Sequence, residues 1–257
     1  MNFLSNDEKI LEKEFIDQGY IIRDVANKDA LGKIQKFTTE KLSRKGGDSL
    51  DKTHESISIN ELNTFRLDVI KEINDQPWLR EAYFQIVKPY LDVLVGNELA
   101  MQLRVNLSIQ MPGDEGSLLP VHADTWSGDS PYEVVVWLPL VDCYDTKSMY
   151  FLPPKAANNL SNNFKLHTQG DSEQLYGVIK NDVEWMKVDY GEVLVFNQIY
   201  PHGNRVNQEN ETRWSMNCRF KSLFSPYQDK KIGEFFEPIT IRPVTKVAMH
   251  YKLPIIY

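Results

Sequence analysis

From Met101 to Met111 the chain alternates almost without error, with Leu103, Val105, Leu107 and Ile109 on one side and Arg104, Asn106, Ser108 and Gln110 on the other. A period of two belongs to a strand with unlike faces. Such a strand needs an apolar layer over one face and partner strands at its edges. The polar face meets either solvent or a polar cavity, and the pattern leaves both open. Further strand-like runs lie at Glu133–Val141, Lys147–Leu152, closed by Pro153-Pro154, and Thr212–Phe220. Met186–Asp189 and Val193–Phe196 read as an antiparallel pair about the turn Tyr190-Gly191-Glu192, and a last extended stretch falls near Glu237–Arg242 beyond the Ser225-Pro226 break.

Before Gly96 the period is helical. Asn6-Asp7-Glu8 caps a helix whose Ile10, Leu11, Phe15 and Ile16 share a face, and Gly19 ends it. Tyr20-Ile-Ile-Arg-Asp24 is a short strand, and Asn27-Lys-Asp opens a helix with Leu31, Ile34 and Phe37 on one side. Arg44–His54 is polar with a glycine pair and reads as an exposed loop, which makes His54 a surface residue. Helices over about residues 60–74 and 77–95 follow. The expected fold class is mainly β with an α-helical layer, in one domain over 1–257: a helical N-terminal part at 1–97, then the β core and a C-terminal extension at 98–257. The segment at about 155–185, with Asn-rich turns and a strand-like Leu175–Ile179, is long enough to act as a lid. His167 in it reads as surface, and His250 as structural.

The net charge of −7 removes the global basic field that a polyanion requires, so nucleic acid is not an expected partner. The two cysteines, Cys143 and Cys218, are far apart and form no metal or disulfide pattern. The first residues lack the apolar core of a signal peptide. No apolar run approaches the ~20 residues of a membrane helix. A cytoplasmic protein with a small-molecule partner is the expectation. No pattern specifies an oligomeric state.

Chemistry concentrates in Leu119-Leu-Pro-Val-His-Ala-Asp-Thr-Trp126. On a strand, residues i and i+2 face one way, so His122 and Asp124 can address one atom. His202, in Phe196-Asn-Gln-Ile-Tyr-Pro-His-Gly203, is the candidate third ligand. Two histidines and one carboxylate on one face of a metal leave three positions open, the facial triad of non-haem Fe(II) oxygenases. Arg213 follows His202 by eleven residues, and a planar, always-charged fork suits a carboxylate co-substrate. If 204–211 is the loop of an antiparallel hairpin, residue 213 falls opposite His202. Arg219, on the same strand face, then lies about 20 Å further along, away from the metal.

This order of elements and motifs resembles the phytanoyl-CoA dioxygenase-like branch of the Fe(II)/2-oxoglutarate oxygenases. The resemblance runs from Tyr20 to Phe220. It rests on Val121-His-Ala-Asp124, Val136-Trp-Leu-Pro-Leu-Val-Asp142, Phe151-Leu-Pro-Pro154, Gly191-Glu-Val-Leu-Val-Phe196 and His202-Gly203. Within that branch, His122–Trp126 followed by Ser130-Pro-Tyr-Glu-Val is similar to oxygenases of carbohydrate and aminoglycoside-type biosynthetic clusters. Lys147-Ser-Met-Tyr departs from it, since many relatives carry a Gly-bearing turn there.

The resemblance implies a double-stranded β-helix, a cupin-like jelly-roll barrel. It also implies Fe(II), with 2-oxoglutarate and O2 as co-substrates. His122, Asp124 and His202 would hold the iron. Arg213 would clamp the distal carboxylate of 2-oxoglutarate, aided by Ser215, with Asn106 and Gln110 lining the cavity. The reaction would couple decarboxylation to succinate and CO2 with oxidation, first of all hydroxylation, of a C–H bond. The substrate would be a polar, carbohydrate-related small molecule held by Trp126 and the 155–185 segment. Two rival readings are a metal-dependent hydrolase, since the same triad binds zinc, and a non-catalytic binding protein with a vestigial metal site.

Overall fold

The structure, a computed structural model, describes residues 3–164 and 171–254. His167 lies outside the described residues. The N-terminal layer is built of α1 (Asn6–Gln18), α2 (Lys28–Ser43), the one-turn α3 (Thr53–Ser56), α4 (Ile59–Asn74) and α5 (Leu79–Leu94), with strand β1 (Tyr20–Asp24) between the first two helices. The start of α1 has a local cause. Ser5 Oγ accepts from the Glu8 amide at 3.2 Å and Glu8 Oε2 accepts from the Ser5 amide at 2.7 Å, a reciprocal cap. Gly19 ends α1 at φ 81°, where a Cβ would also lie 2.8 Å from the Tyr200 ring.

The β part forms two antiparallel sheets. In the larger, β1 pairs with β7 (Glu192–Asn197), β7 with β4 (Glu133–Pro139), and β4 with the long β9 (Arg213–Ser222). The far edge of β9 carries β2 (Leu99–Gln102), itself flanked by β10 (Phe236–Thr240), and also β3 (Asn106–Gln110). The smaller sheet has order β6 (Glu184–Trp185), β5 (Tyr150–Phe151), β8 (His202–Gly203). Helices α6 (Pro154–Asn162) and α7 (Ser172–Ile179) lie between β5 and β6 in sequence, and α8 (Pro243–Ala248) follows β10.

Alternation divides the large sheet's two faces. Val134, Val136 and Leu138 of β4, Val195 of β7, and Trp214, Met216, Cys218 and Phe220 of β9 join the helices in one buried cluster. On the opposite face Val135, Trp137, Leu194 and Phe196 pack with Met149, Phe151, Met186 and Val188. Each such buried aliphatic or aromatic side chain contributes about 1.5–3 kcal/mol of transfer free energy. Because β9 sends its apolar set toward the helices, its polar set, Arg213, Ser215, Asn217 and Arg219, must project from the other face.

Several expectations change. The 101–111 run divides into β2 and β3: Met101 faces Phe220 and Asn106 faces Asn217, so five steps on one side match three on β9. Two extra residues bulge out, and Leu103, expected on the apolar side, is 37% exposed. Leu175–Ile179 is helical, with Leu175 and Ile179 buried at an i,i+4 spacing and Asp171 accepting from the Gln174 amide. The hairpin through Gly191 does not form. Val188 bridges Cys143 instead, while β7 is inserted between β1 and β4. The strand expected at 147–152 shrinks to Tyr150–Phe151, because Lys147 belongs to a 3-10 turn and turns inward to pair with Glu211. His54 is half-buried, its Nδ1 3.0 Å from Thr212 Oγ1, whereas His250 is exposed.

Candidate metal centre

His122 and His202 face each other across a single antiparallel bridge: His122 N–H donates to the His202 carbonyl at 3.0 Å and His202 N–H to the His122 carbonyl at 2.8 Å. This sets the ring centroids 4.4 Å apart. Each ring is oriented in the same way. His122 Nδ1 lies 2.8 Å from the Pro120 carbonyl and His202 Nδ1 2.9 Å from the Tyr200 carbonyl. A carbonyl only accepts, so each Nδ1 carries a proton and Nε2 is the ring nitrogen left for a metal. Asp124 arrives differently from the i,i+2 strand geometry expected of it, as the first residue of a 3-10 turn over Asp124–Ser127, its amide donating to the Gln198 carbonyl at 3.2 Å. Ligand atoms of all three residues lie within 4.8 Å of one another.

Electrostatics keeps this set ready for a cation. Burial would raise the Asp124 pKa, but the contact with His122 and the charges of His202 and Arg219 outweigh it and hold the carboxyl well below the usual carboxylate range. Burial, helped by His122, pushes His202 down to about 4, against the pull of Asp124. The donor set therefore offers a carboxylate and the neutral imidazole of His202, with the ring of His122 beside them. That chemistry fits a divalent first-row metal such as Fe(II).

Gly203 has no room for a side chain: a Cβ there would sit 2.6 Å from Tyr150 Oη and 2.8 Å from the Leu119 carbonyl. The next residue ties the two ligand-bearing segments together. Asn204 Oδ1 accepts from the Leu119 amide, and its Nδ2 donates to the Ser117 carbonyl at 3.1 Å.

A cavity of about 400 Å³ opens from the triad. Val135, Trp137, Met149 and Phe196 give it an apolar wall. Arg213 enters from β9 and is 4% exposed. Its Nη1 donates to the Ser148 carbonyl at 2.9 Å and its Nη2 to Ser108 Oγ at 3.1 Å, while Nε has no partner among the described residues. Among the described residues no carboxylate lies within ion-pair distance of Arg213. Burial pushes its pKa down to about 10. A buried guanidinium without a counter-ion is costly, and an incoming anion would relieve that cost.

The other expected residues divide. Ser215 and Asn106 line the cavity, Asn106 with its Nδ2 2.8 Å from Asn217 Oδ1. Gln110 is absent from the lining. It is buried with Nε2 donating to the Arg205 carbonyl and Oε1 accepting from Asn204. Trp126 packs on Phe164 with centroids 5.0 Å apart and is not among the described residues lining the cavity. Ser108, Asn204, Arg66 and Arg219 line it and were not anticipated. Ser108 sits on the same alternating polar face as Asn106, which was a usable signal. The 202–213 hairpin is not formed. His202 pairs with Phe151 in the small sheet, while Arg213 pairs with Gln110 in the large one. Arg219, expected far from the metal, instead contacts Asp124, its Nη2 2.9 Å from Oδ2.

No family model and no curated protein sequence matches the chain. Solved structures do. The non-haem monooxygenase ThoJ in complex with nickel aligns over 91% of this chain and 85% of its own, with a TM-score of 0.60 and 14% identity. The non-haem α-ketoglutarate-dependent carbocyclase SnoK from nogalamycin biosynthesis aligns over 93% and 97%, at 0.55 and 14%. EctD from S. alaskensis, with 2-oxoglutarate and 5-hydroxyectoine, aligns over 87% and 78%, at 0.56 and 16%. At such identities the likeness is one of fold.

Proposed function

We propose that the protein is a non-haem Fe(II)- and 2-oxoglutarate-dependent dioxygenase with a jelly-roll core, acting on a C–H bond of a polar, carbohydrate-related small molecule. The observation that carries this reading is the pairing of a clustered His-Asp-His set with a buried arginine that has no acid in ion-pair distance among the described residues. His122, His202 and Asp124 would hold Fe(II), which with O2 and 2-oxoglutarate supplies oxidative decarboxylation coupled to C–H oxidation. Arg213 would bind the distal carboxylate of 2-oxoglutarate, Ser108 keeping its fork in place and Ser215 adding a hydroxyl beside it. The apolar wall of Val135, Trp137, Met149 and Phe196 excludes water from that end. Asn106, Asn217 and Arg66, on the polar lining, supply donors for an oxygen-rich substrate.

The fold shared with ThoJ, SnoK and EctD supports the class, and EctD carries 2-oxoglutarate in its own structure. A hydrolytic zinc site would leave Arg213 buried without a counter-ion. A vestigial site would have no use for two histidines whose lone pairs are directed by carbonyls. The test is anaerobic purification and Fe(II) loading, followed by measurement of succinate and CO2 from 2-oxoglutarate with and without pools of sugars and glycosides. Iron-dependent succinate formation, raised by members of the pool, is expected. An iron-loaded protein that never consumes 2-oxoglutarate defeats the class. Stimulation by a long-chain acyl thioester and by no sugar derivative defeats the substrate.

A further inference from the structure

The two oxygens of Asp124 have unlike surroundings. Oδ1 turns toward the histidines, 3.5 Å from His122 Nε2, whereas Oδ2 meets Arg219 Nη2 at 2.9 Å. Arg219 is itself fixed. Its Nε donates to Gln198 Oε1 at 3.1 Å and its Nη1 to Gln102 Oε1 at 3.4 Å, the same Gln102 oxygen accepting the Arg219 amide at 3.3 Å. Asp129 Oδ1 stands 3.5 Å from Nε, and Lys230 neutralises the other Asp129 oxygen at 2.5 Å. The Gln198 carbonyl also takes the Asp124 amide. Carboxylate and guanidinium are therefore held by one frame, with little freedom to part.

A carboxylate can hold a divalent metal through one oxygen or through both. If both bind, one of the three open positions that a facial triad offers is lost. A cation fixed against Oδ2 draws on that oxygen's charge and leaves Oδ1 the better donor. The contact is charge against charge: Nη2 stands 2.9 Å from Oδ2, but among the described residues that oxygen receives no in-line hydrogen bond, while Nε and Nη1 are held by Gln198 and Gln102. We propose that Arg219 is a positioning residue that confines Asp124 to ligation through Oδ1 and so keeps a coordination position open. This rests on the functional reading above, whose co-substrates need the open positions.

The experiment compares wild type, Arg219→Gln and Arg219→Lys, loaded with Co(II) for visible absorption and with Fe(II) for turnover. Arg219→Gln is expected to bind Co(II) within about threefold of wild type or more tightly, with a spectrum shifted toward higher coordination number. Its succinate production per bound iron should fall at least ~10-fold while half-saturating 2-oxoglutarate moves less than ~3-fold. Arg219→Lys, which keeps the charge, should return the spectrum and most of the rate. Two outcomes overturn the proposal. One is an unchanged spectrum with unchanged turnover per iron; the other is loss of metal affinity with turnover per bound iron intact, the mark of a merely structural ion pair. If both replacements fail to fold, Gln102→Ala loosens the guanidinium without removing it. It should lower turnover per iron at least ~3-fold at wild-type metal affinity, and no change there overturns the proposal equally. The Co(II) spectrum requires no turnover. A wild type that makes no succinate therefore defeats the functional reading separately from this one.

Discussion

Arg219 and Arg213 lie on one face of β9, yet Arg219 ends 2.9 Å from Asp124 Oδ2 while Arg213 ends on Ser108 and the Ser148 carbonyl, with no acid in reach among the described residues. The first already has its counter-ion, and the second pairs with no carboxylate among the described residues. Arg213→Ala should therefore raise half-saturating 2-oxoglutarate at least tenfold, a loss of about 1.4 kcal/mol or more. Arg213→Lys should recover only part of this, since an ammonium cannot present a planar fork. Arg219→Ala should leave that concentration within about threefold. Saturation curves on folded, iron-loaded variants decide, and the opposite ranking would refute the assignment.

The three candidate ligands should separate by stability as well as by activity. His122→Ala, Asp124→Ala and His202→Ala should each abolish iron-dependent succinate formation. Of the three, Asp124→Ala alone takes from Arg219, whose side chain is 15% exposed, the nearer of its two carboxylates and leaves it Asp129 at 3.5 Å, so the loss should be at most about 3 kcal/mol. Asp124→Asn keeps a polar partner and should cost less. Denaturant midpoints of the metal-free proteins give the order. Added Fe(II) should raise the melting temperature of wild type by mass action and of none of the three alanine variants. A wild-type rate from Asp124→Ala would sink the triad.

Much of this was legible because it is local. The stop of α1 at Gly19, the Leu31–Ile34–Phe37 stripe and the two-residue alternation of β3 and β9 are short-range patterns that packing had no reason to override, although the cap of α1 is Ser5 and not the expected Asn6-Asp7-Glu8. His122, Asp124 and His202 were legible through motif and spacing. The partner of β8 was not. A hairpin from 202 to 213 needs only a loop, but the chain instead sends 204–212 across to the large sheet and gives His202 to Phe151, a choice made by the packing of two sheets. Arg219 on Asp124 is likewise a contact between residues 95 apart, made in tertiary packing and not in any local pattern. The Leu175–Ile179 run shows the other limit. Five residues fit a strand or a helix, and burial at an i,i+4 spacing decided it.

The helical layer is anchored to the sheet where the sequence shows only a polar loop. Trp214, fully buried on β9, donates its indole N–H to Thr53 Oγ1 at 2.8 Å and meets Phe65 edge-on at 5.9 Å. Thr53 Oγ1 in turn donates to the Leu50 carbonyl at 2.7 Å. Thr53→Val keeps the shape and removes the acceptor, leaving a buried donor unsatisfied at a cost of about 1–3 kcal/mol. Thr53→Ser should cost less. Equal denaturant midpoints for Val and wild type would show that the contact contributes nothing.

The cysteines should be silent in the native protein. Cys143 and Cys218 are both fully buried, and burial pushes each thiol up to about 12, against the partial relief given to Cys143 by Arg213 and Lys147 and to Cys218 by Arg80 and Arg219. The thiolate is the nucleophile, so at pH 8 a group of that pKa is reactive in about one molecule in 10⁴, whereas an unfolded cysteine near 8.5 is ionised in about one in four. Access falls in the same direction: the Cys143 amide and carbonyl are both spent on Val188, which closes the backbone over the thiol. Iodoacetamide at pH 8 should therefore label neither residue in native protein over a period that labels both in denaturant. Whatever slow labelling occurs should follow the opening of the sheet rather than reagent concentration. Mass spectrometry reads both sites at once, and native labelling of either at the rate of a free thiol would contradict the buried placement of that strand or bridge.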